Sequence, residues 1–263
     1  MRRYIRFFFI AGTILLMIPP MMLLQRIDIP GYRVLPRLWH RVMCRLLHIR
    51  VKVVGTPLEN NGPVLFVSNH VSWMDILVLG HVAKASFIAR GDMQSWPFLG
   101  RLSKLHETVF IDREKRSTAH QQTIQLSSRL ANGDSLILFP EGTTSDGGRV
   151  LPFKSALFGV TEKVLEADAV KEHLNVQPVT LVYKQINNAP SRRHNRPRVA
   201  WYGDMDFGPH FWEALAIENV QVEVHFHEPI SRASFKNRKE MTQYCQDVIE
   251  AGLHAALAQH PAA

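Results

Sequence analysis

Short apolar runs alternate with helical stretches from residue 51 onward, and this alternation constrains the fold more than any other feature. Several runs are apolar without a break, which is typical of strands in a sheet that is covered on both faces. The sequence therefore predicts an α/β fold, a mixed and largely parallel sheet flanked by helices. The predicted strands are 51–54, 64–68, 86–88, 108–111, 136–139, 176–182, 199–202 and 220–226. The predicted helices lie near 72–82, 95–105, 116–132, 155–167 and 236–259.

Composition excludes several classes of protein. Hydrophobic residues make up 46% of the 263 residues, which excludes a disordered or collagen-like chain. The two cysteines, Cys44 and Cys245, are too few for a disulfide framework or a Cys-rich zinc site and fit a reducing compartment. The formal charge of +8 indicates an anionic partner. The chain has no zinc finger and no recognisable RNA-binding motif, so we expect no nucleic acid partner.

Residues 1–50 are predicted to form an N-terminal helical segment that associates with a membrane. The uncharged stretch 7–25 is about long enough to cross a bilayer core once. A cleaved signal peptide would need a small-residue cleavage site, and only Pro19-Pro20 and bulky residues stand there. A single span would show a charge asymmetry, yet both flanks are basic. We therefore favour a segment that enters one leaflet, breaks at Pro19-Pro20 and returns to the same face.

The next stretch has a helical pattern of charge. Arg33, Arg37, Arg41 and Arg45 recur every four residues, and leucine and valine residues lie between them. This pattern favours a helix on an anionic membrane surface, where each arginine contributes on the order of 1 kcal/mol. An ordinary amphipathic helix packed on the core, with its arginines in water, is the alternative. Further along, residues 184–198 read as an exposed basic loop.

A histidine and an aspartate follow the apolar strand 64–68. His70 and Asp75 are five residues apart, which inside one regular helix would separate the side chains by about 140 degrees. The pair can meet only if His70 lies on the turn after the strand and Asp75 lies in the first helical turn. A histidine oriented by a carboxylate is a general base, so the pair is a candidate catalytic centre.

Two further strands end in polar residues. Asp112-Arg113 follows one strand, and Glu141, Gly142 and Thr143 follow another. Ligands of α/β sheets bind at the carboxyl ends of strands, so these residues could share a cleft with His70. Arg113 offers a planar fork for a phosphate or carboxylate. A surface ion pair and a plain turn are the structural alternatives.

Taken in order, these segments resemble the glycerolipid acyltransferase family. The block from Asn69-His70 to Asp75 matches its His-x4-Asp motif, and 109–113 is similar to its Phe-Ile-Asp-Arg motif. Residues 139–143 match its Phe-Pro-Glu-Gly-Thr motif, and 176–179 are similar to its Val-x-Pro-Val strand. Four ordered blocks over about residues 60–185 make a chance match improbable. The resemblance implies that 51–263 form one acyltransferase domain.

The family resemblance also implies a reaction. His70, held by Asp75, would deprotonate a hydroxyl of a lysolipid of the 1-acylglycerol-3-phosphate type, which then attacks the thioester of acyl-CoA or acyl-carrier protein. Arg113 would bind the acceptor head group, and Glu141, Gly142 and Thr143 would shape its pocket. No metal, cofactor or acyl-enzyme is expected. The apolar residues near Trp96 would line either the core or an acyl-chain tunnel.

The acceptor and the location are less constrained. Many members that use lysophosphatidic acid carry Arg after Glu-Gly-Thr, whereas Thr144 stands there in this chain. This difference makes acylation of lyso-ornithine lipid or another lysolipid the alternative function, with Arg149 or Lys154 as replacement charges. A catalytically silent lipid binder and a hydrolase are rival hypotheses. We expect the protein on the cytoplasmic face of a membrane, the inner membrane in a bacterium, where it takes part in phospholipid biosynthesis.

Overall fold

A computed structural model of the chain describes residues 1–27, 34–59, 62–96, 99–111, 116–159, 161 and 174–258. The helices are α1 (Arg2–Arg26), α2 (Val34–Leu46), α3 (Met74–Val82), α4 (Leu99–Leu105), α5 (Arg116–Ala131), α6 (Phe207–Ala214) and α7 (Arg238–Ala258). The strands are β1 (Ile49–Val54), β2 (Val64–Ser68), β3 (Ser86–Arg90), β4 (Val109–Ile111), β5 (Leu136–Leu138), β6 (Asn175–Ile186), β7 (Ala189–Pro190), β8 (Val220–Phe226) and β9 (Ile230–Ser231). Short 3₁₀ turns lie at Gly91–Ser95, Ser155–Phe158, Arg196–Arg198 and Arg232–Ser234.

The strands form one sheet in the order β1-β8-β6-β2-β5-β3-β4, and β7 and β9 pair with β6. The five strands from β6 to β4 run parallel, whereas β8 is antiparallel to β6 and parallel to β1. The prediction of a mixed, largely parallel sheet flanked by helices is therefore confirmed. His70 and Glu141 follow the carboxyl ends of β2 and β5, which are neighbours in this order.

The sheet is covered on both faces, which explains its unbroken apolar strands. Along β2, Val64 and Phe66 enter one core with α2 and α3, while Leu65 and Val67 enter a second core with α5 and α7. All five residues of β2 are buried. Full burial of each such side chain contributes about 1.5–3 kcal/mol, so the central strands fix the active-site edge rigidly.

Helix α1 is continuous through Pro19 and Pro20, so the predicted break is wrong. Each proline removes one backbone donor, and the remaining bonds of a 25-residue helix hold it together. Near one end, the Arg6 guanidinium donates to the carbonyl of Leu215 at 2.9 Å, and near the other Gln25 donates to that of Leu105 at 2.9 Å. Helix α1 therefore lies along the domain instead of projecting from it.

The outer side of α1 is apolar and exposed. Among the described residues, α1 is the one helix that is long and apolar enough to cross a membrane. Its inner side buries Ile10, Ile14 and Met21. Its exposed side carries large apolar side chains, including Phe8, Phe9, Leu15, Leu16, Met22 and Leu23. Such a helix fits the surface of a bilayer better than water.

Helix α2 packs on the core, as in the alternative interpretation. Trp39, Met43 and Cys44 are buried, and α2 lies against α3. Of the predicted apolar stripe, Leu46 and Leu47 pack in this core, whereas Leu38 is exposed, as are Arg41 and Arg45. Helix α2 also contacts β1, so its buried residues help to cover one face of the sheet, and membrane contact by its exposed side stays a prediction.

One predicted strand is absent, since residues 199–202 are irregular. Their backbone groups bond elsewhere: the N–H of Trp201 donates to the carbonyl of Val71 at 3.0 Å, and the ring of His210 contacts the carbonyl of Ala200 at 3.1 Å. Strand β6 is already paired on both sides, by β2 and β8, so no position beside it is free. Helix α6, which follows, was not predicted.

Candidate active site

His70 and Asp75 meet at the turn between β2 and α3. The helix begins at Met74, so His70 lies outside it and Asp75 lies in its first turn. The Nδ1 atom of His70 lies 2.8 Å from Oδ2 of Asp75. Because a carboxylate accepts the Nδ1 proton, Nε2 is left as the acceptor nitrogen of the ring. The His70 side chain is 19% exposed and that of Asp75 is fully buried, so the ring reaches the surface and its partner does not.

The Asp75 carboxylate accepts three further hydrogen bonds. Oδ2 accepts from the N–H groups of Val71 at 2.6 Å and Ser72 at 2.9 Å, and Oδ1 accepts from the hydroxyl of Tyr183 at 2.7 Å. A buried charge needs such partners. Burial, followed by the nearby Asp75 charge, raises the pKa of Tyr183 well above its ordinary value, so its hydroxyl stays a donor. The carboxylate is thus fixed in the orientation that holds the His70 ring.

The face of the His70 ring is fixed by an aromatic neighbour. Phe139, the first residue after β5, stacks on the ring with centroids 4.0 Å apart and planes 16° apart. Phe87 of β3 stacks on Phe139 in turn, at 6.3 Å. Stacking restricts rotation of the imidazole, so Nε2 keeps one direction.

Glu141 joins two backbone segments at the carboxyl edge. Oε1 accepts the N–H of His70 at 2.7 Å, and Oε2 accepts the N–H of Leu151 at 2.8 Å. Burial raises the pKa of Glu141 to about 8, although both N–H groups act in the opposite direction. The side chain is 1% exposed, and Glu141 supports the backbone of His70; its part in the acceptor pocket stays a prediction. Gly142 has a φ of 75°, a conformation that favours glycine and turns the chain directly after Glu141.

Of the two remaining predicted site residues, the structure describes Thr143 and does not describe Arg113. Thr143 is exposed at the surface of the same turn. Two residues on, the N–H of Ser145 donates to the carbonyl of His70 at 2.8 Å, which holds this turn beside the histidine. Arg113 lies outside the described residues, so the structure says nothing of its place.

Asn69 and Tyr183 support the site through hydrogen bonds that sequence reasoning missed. The Asn69 amide exchanges two hydrogen bonds with the backbone of Leu181, at 2.8 and 3.0 Å. Both contacts reach across to β6, whose pairing with β2 no sequence pattern reveals. The sequence contains both residues, an asparagine directly before His70 and a tyrosine in the apolar stretch after Pro178, but it does not show that they meet the site.

An apolar cavity of about 550 Å³ lies beside the site. Helices α1, α2 and α3 contribute to its lining, together with Trp96, Trp201, Phe207 and Phe211. Phe87 lines the cavity and also stacks on Phe139, which stacks on the ring of His70, so this pair of phenylalanine rings lies between the histidine and the cavity. Its size and composition suit a long hydrocarbon chain.

The two cysteines and the possible metal ligands of the described residues also bear on the chemistry of the site. Burial raises the pKa of Cys44 and of Cys245 to about 12, so neither thiol is a ready nucleophile. Within the part of the chain that the structure describes, no three His, Cys, Asp or Glu side chains group as metal ligands would. The site therefore offers a positioned base beside an apolar cavity.

Comparisons with known proteins show the family of this chain. A family model described as Acyltransferase matches residues 50–182. The lyso-ornithine lipid O-acyltransferase of Brucella abortus is 40% identical over 86% of this chain and 84% of its own length. The protein of the same name from Rhizobium meliloti is 41% identical over 87% and 78%. The 1-acyl-sn-glycerol-3-phosphate acyltransferase of Neisseria gonorrhoeae is 32% identical over 78% and 74%.

A solved structure supports the fold as well. The crystal structure of the 1-acyl-sn-glycerophosphate acyltransferase PlsC from Thermotoga maritima matches with a TM-score of 0.68 at 21% identity, covering 97% of both chains. The fold and the His70–Asp75 site define an enzyme that transfers acyl groups. The chain belongs to the Acyltransferase family, and the resemblance seen in its four sequence blocks is confirmed.

Proposed function

We propose that this protein transfers a fatty acyl group from a thioester donor to the free hydroxyl of a lysolipid at a membrane surface. The observation that carries the proposal is the His70–Asp75 pair, whose Nδ1 and Oδ2 atoms lie 2.8 Å apart. The His70 ring stacks on Phe139, and an apolar cavity lies nearby. A general base, a hydrocarbon-sized cavity and an apolar outer helix are together what such a reaction needs.

The mechanism that we infer is direct transfer. Nε2 of His70 takes the hydroxyl proton while the oxygen attacks the thioester carbonyl. The new C–O bond forms, the tetrahedral intermediate collapses, and the C–S bond breaks. The leaving sulfur then takes the proton from Nε2, so the enzyme returns to its starting state. Asp75 stabilises the imidazolium in between, as in the His–Asp pair of serine proteases.

The substrate-binding roles are also proposals. Arg113 binds the acceptor head group, and the turn of Gly142 and Thr143 borders the acceptor and offers backbone N–H groups to the oxyanion. Glu141 acts through its hydrogen bond to the N–H of His70. The apolar cavity holds an acyl chain, and the reaction uses no metal or cofactor beyond its acyl-CoA or acyl-carrier protein substrate.

Lyso-ornithine lipid is the acceptor that the observations favour. The two relatives at 40% and 41% identity are named for it. Thr144 stands where family members that use a phosphate monoester often carry arginine, which leaves one positive charge fewer for phosphate. Lysophosphatidic acid is the second candidate, because the relative from Neisseria gonorrhoeae is named for that reaction.

We place the protein on the cytoplasmic face of a membrane. The exposed apolar side of α1 supports attachment, and both ends of α1 contact the domain, as a helix lying in the membrane surface requires. Two unpaired cysteines fit the reducing cytoplasm.

A panel of acceptors tests the proposal. Purified protein in mixed micelles is given labelled palmitoyl thioesters of CoA and of carrier protein, with lyso-ornithine lipid, lysophosphatidic acid or lysophosphatidylethanolamine. We expect transfer to a lysolipid, fastest with lyso-ornithine lipid. Release of free palmitate without acceptor would indicate a hydrolase, and binding without turnover on any acceptor would indicate a lipid-binding protein; either result would overturn the proposal.

A further inference from the structure

A basic surface lies beside the candidate active site, and the proposed mechanism does not use it. Arg192, Arg193 and Arg198 are exposed and Arg196 is half-buried; we call these four residues the arginine surface. Among the described residues, none of the four forms an ion pair with an acidic side chain. Their positive charge is therefore available to a partner.

Two separate contacts place the arginine surface at the rim of the site. Three residues after Arg198, the N–H of Trp201 donates to the carbonyl of Val71, the neighbour of His70, at 3.0 Å. The side chain of Arg196 lies over Gly148, where an added Cβ would come within 2.1 Å of its Nη1. Gly148 belongs to the loop in which Ser145 bonds to the carbonyl of His70.

The loop that carries the arginines is held in one shape. Asn195 is buried, and its amide donates to the carbonyl of Pro190 at 2.9 Å and accepts the N–H of Arg192 at 2.7 Å. The N–H of Arg196 donates to the carbonyl of Arg192 at 3.0 Å. A loop fixed in advance loses less conformational entropy when a partner binds.

A cavity of about 360 Å³ lies within this surface, and its lining is basic. Lys184 lines it together with Arg192, Arg193 and Arg196, and Pro190 and Leu257 are its main apolar residues. The Nε atom of Arg196 is buried and has no hydrogen-bond partner among the described residues. Oδ1 of the nearby Asp146 accepts the N–H of Gly148 at 2.9 Å.

The character of the arginine surface distinguishes between partners. A surface that binds a bilayer combines basic residues with exposed apolar ones, as α1 does. The large exposed hydrophobic residues of the described chain lie elsewhere, on α1, α2, β1, α5 and α7 and at Met1 and Ile27, and none lies between residues 184 and 201. Exposed charges without apolar neighbours fit an acidic, water-soluble partner, because charge complementarity steers such encounters.

We propose that the arginine surface docks an acidic carrier protein that presents the acyl thioester on its phosphopantetheine arm. This proposal rests on the proposed function, because it concerns the donor of that same reaction. The carrier sits at the rim, and its arm extends past the Ser145–Gly148 loop to Nε2 of His70. The arginine surface thus contacts the carrier itself and leaves the acyl chain to the apolar cavity.

Charge reversal tests the proposal with the full-length protein. The variant Arg192→Glu/Arg193→Glu is compared with wild type on palmitoyl-carrier protein and palmitoyl-CoA, with one lysolipid acceptor. We expect the KM for palmitoyl-carrier protein to rise at least about tenfold while kcat stays near wild type. We also expect the KM for palmitoyl-CoA to change less than about twofold. Salt should raise the wild-type KM for the carrier protein and affect the variant less.

A matched control separates docking from overall charge. Lys236→Glu/Lys239→Glu makes the same change of charge near the start of α7 and should leave both KM values unchanged. An equal loss with both donors, or no change with either, would overturn the docking proposal. Weaker binding to anionic vesicles with an unchanged KM for carrier protein would assign the surface to lipid instead. If wild type transferred from neither donor, the proposed function itself would fail, which is a distinct result.

Discussion

Glu141 is the residue whose environment predicts a pH dependence of stability. Its pKa rises from 4.5 to about 8 through burial, so between these values the folded protein keeps a proton that the unfolded chain has lost. The free energy of unfolding therefore falls as pH rises through this window, by at most about 1.4 kcal/mol per pH unit. Urea unfolding of wild type and Glu141→Gln across the window measures it. We expect the slope to flatten in the variant, and an unchanged slope would assign the titration to another group.

Thr144 is the residue whose replacement tests the choice of acceptor. Thr144→Arg adds a positive charge in the turn next to Thr143, where charge-assisted contacts to a phosphate monoester become possible. We expect the ratio of kcat/KM for lysophosphatidic acid to that for lyso-ornithine lipid to rise about tenfold. Thr144→Val keeps the volume without the charge and serves as the control. A ratio that does not move would remove Thr144 from the specificity argument.

At the residue scale the sequence predicts the pair but not its support. The spacing of His70 and Asp75, with a strand directly before them, already requires the turn that the structure shows. Tyr183 and Asn69 were not predictable, because their contacts depend on β6 lying beside β2, more than a hundred residues away in the chain. Glu141 was predicted to shape the acceptor pocket, and its hydrogen bond to the N–H of His70 was not predictable from the sequence.

Helix α1 is the element whose exposed side carries the membrane prediction. Phe8 and Leu16 are 70% and 77% exposed, and neither lines the apolar cavity. Burying such a side chain in a bilayer contributes about 1.5–3 kcal/mol, so Phe8→Glu/Leu16→Glu should weaken vesicle binding at least about a hundredfold. Co-sedimentation with anionic vesicles measures this. Ile124→Glu, on α5, is the control and should bind as wild type; equal binding by all three proteins would contradict the role of α1.

At the element scale, apolar runs in the sequence predict where strands lie better than local signals predict where a strand or helix is interrupted. Strands β2 and β8 have the predicted ends because each lies between turn residues; β2 is buried along its length, and β8 is buried at every second residue. Residues 199–202 have the same apolar pattern as a strand, yet their backbone groups bond to Val71 and to the ring of His210 instead of to a neighbouring strand. The double proline was expected to end α1, but a long helix with packing along one side continues through it.

The apolar cavity belongs to the scale of the whole molecule, since α1, the sheet and α6 line it together. Ala11 lines the cavity, whereas the neighbouring Gly12 has open space where a side chain would be. Ala11→Trp should therefore lower kcat/KM for palmitoyl donors about tenfold and spare decanoyl donors, because the longer chain meets the indole. Gly12→Trp should leave both values unchanged. Equal losses for both chain lengths in Ala11→Trp would contradict a chain-holding cavity.

The fold class was predictable at this scale, and the order of the strands was not. Unbroken apolar strands between helices indicate a covered, largely parallel sheet whatever the order. The antiparallel insertion of β8 between β1 and β6 leaves no trace in the hydrophobic pattern. The cavity arises from parts of the chain that lie far apart, which is why the apolar residues near Trp96 pointed to it only as an alternative.

The central claim is that His70, held by Asp75, removes a proton from the acceptor hydroxyl. The direct test is single-turnover transfer of labelled palmitate to lyso-ornithine lipid by wild type and His70→Ala, with thermal unfolding as the check on folding. The account predicts that the variant folds normally and transfers at least about a hundredfold more slowly. A folded variant that transfers within a few-fold of the wild-type rate would contradict it.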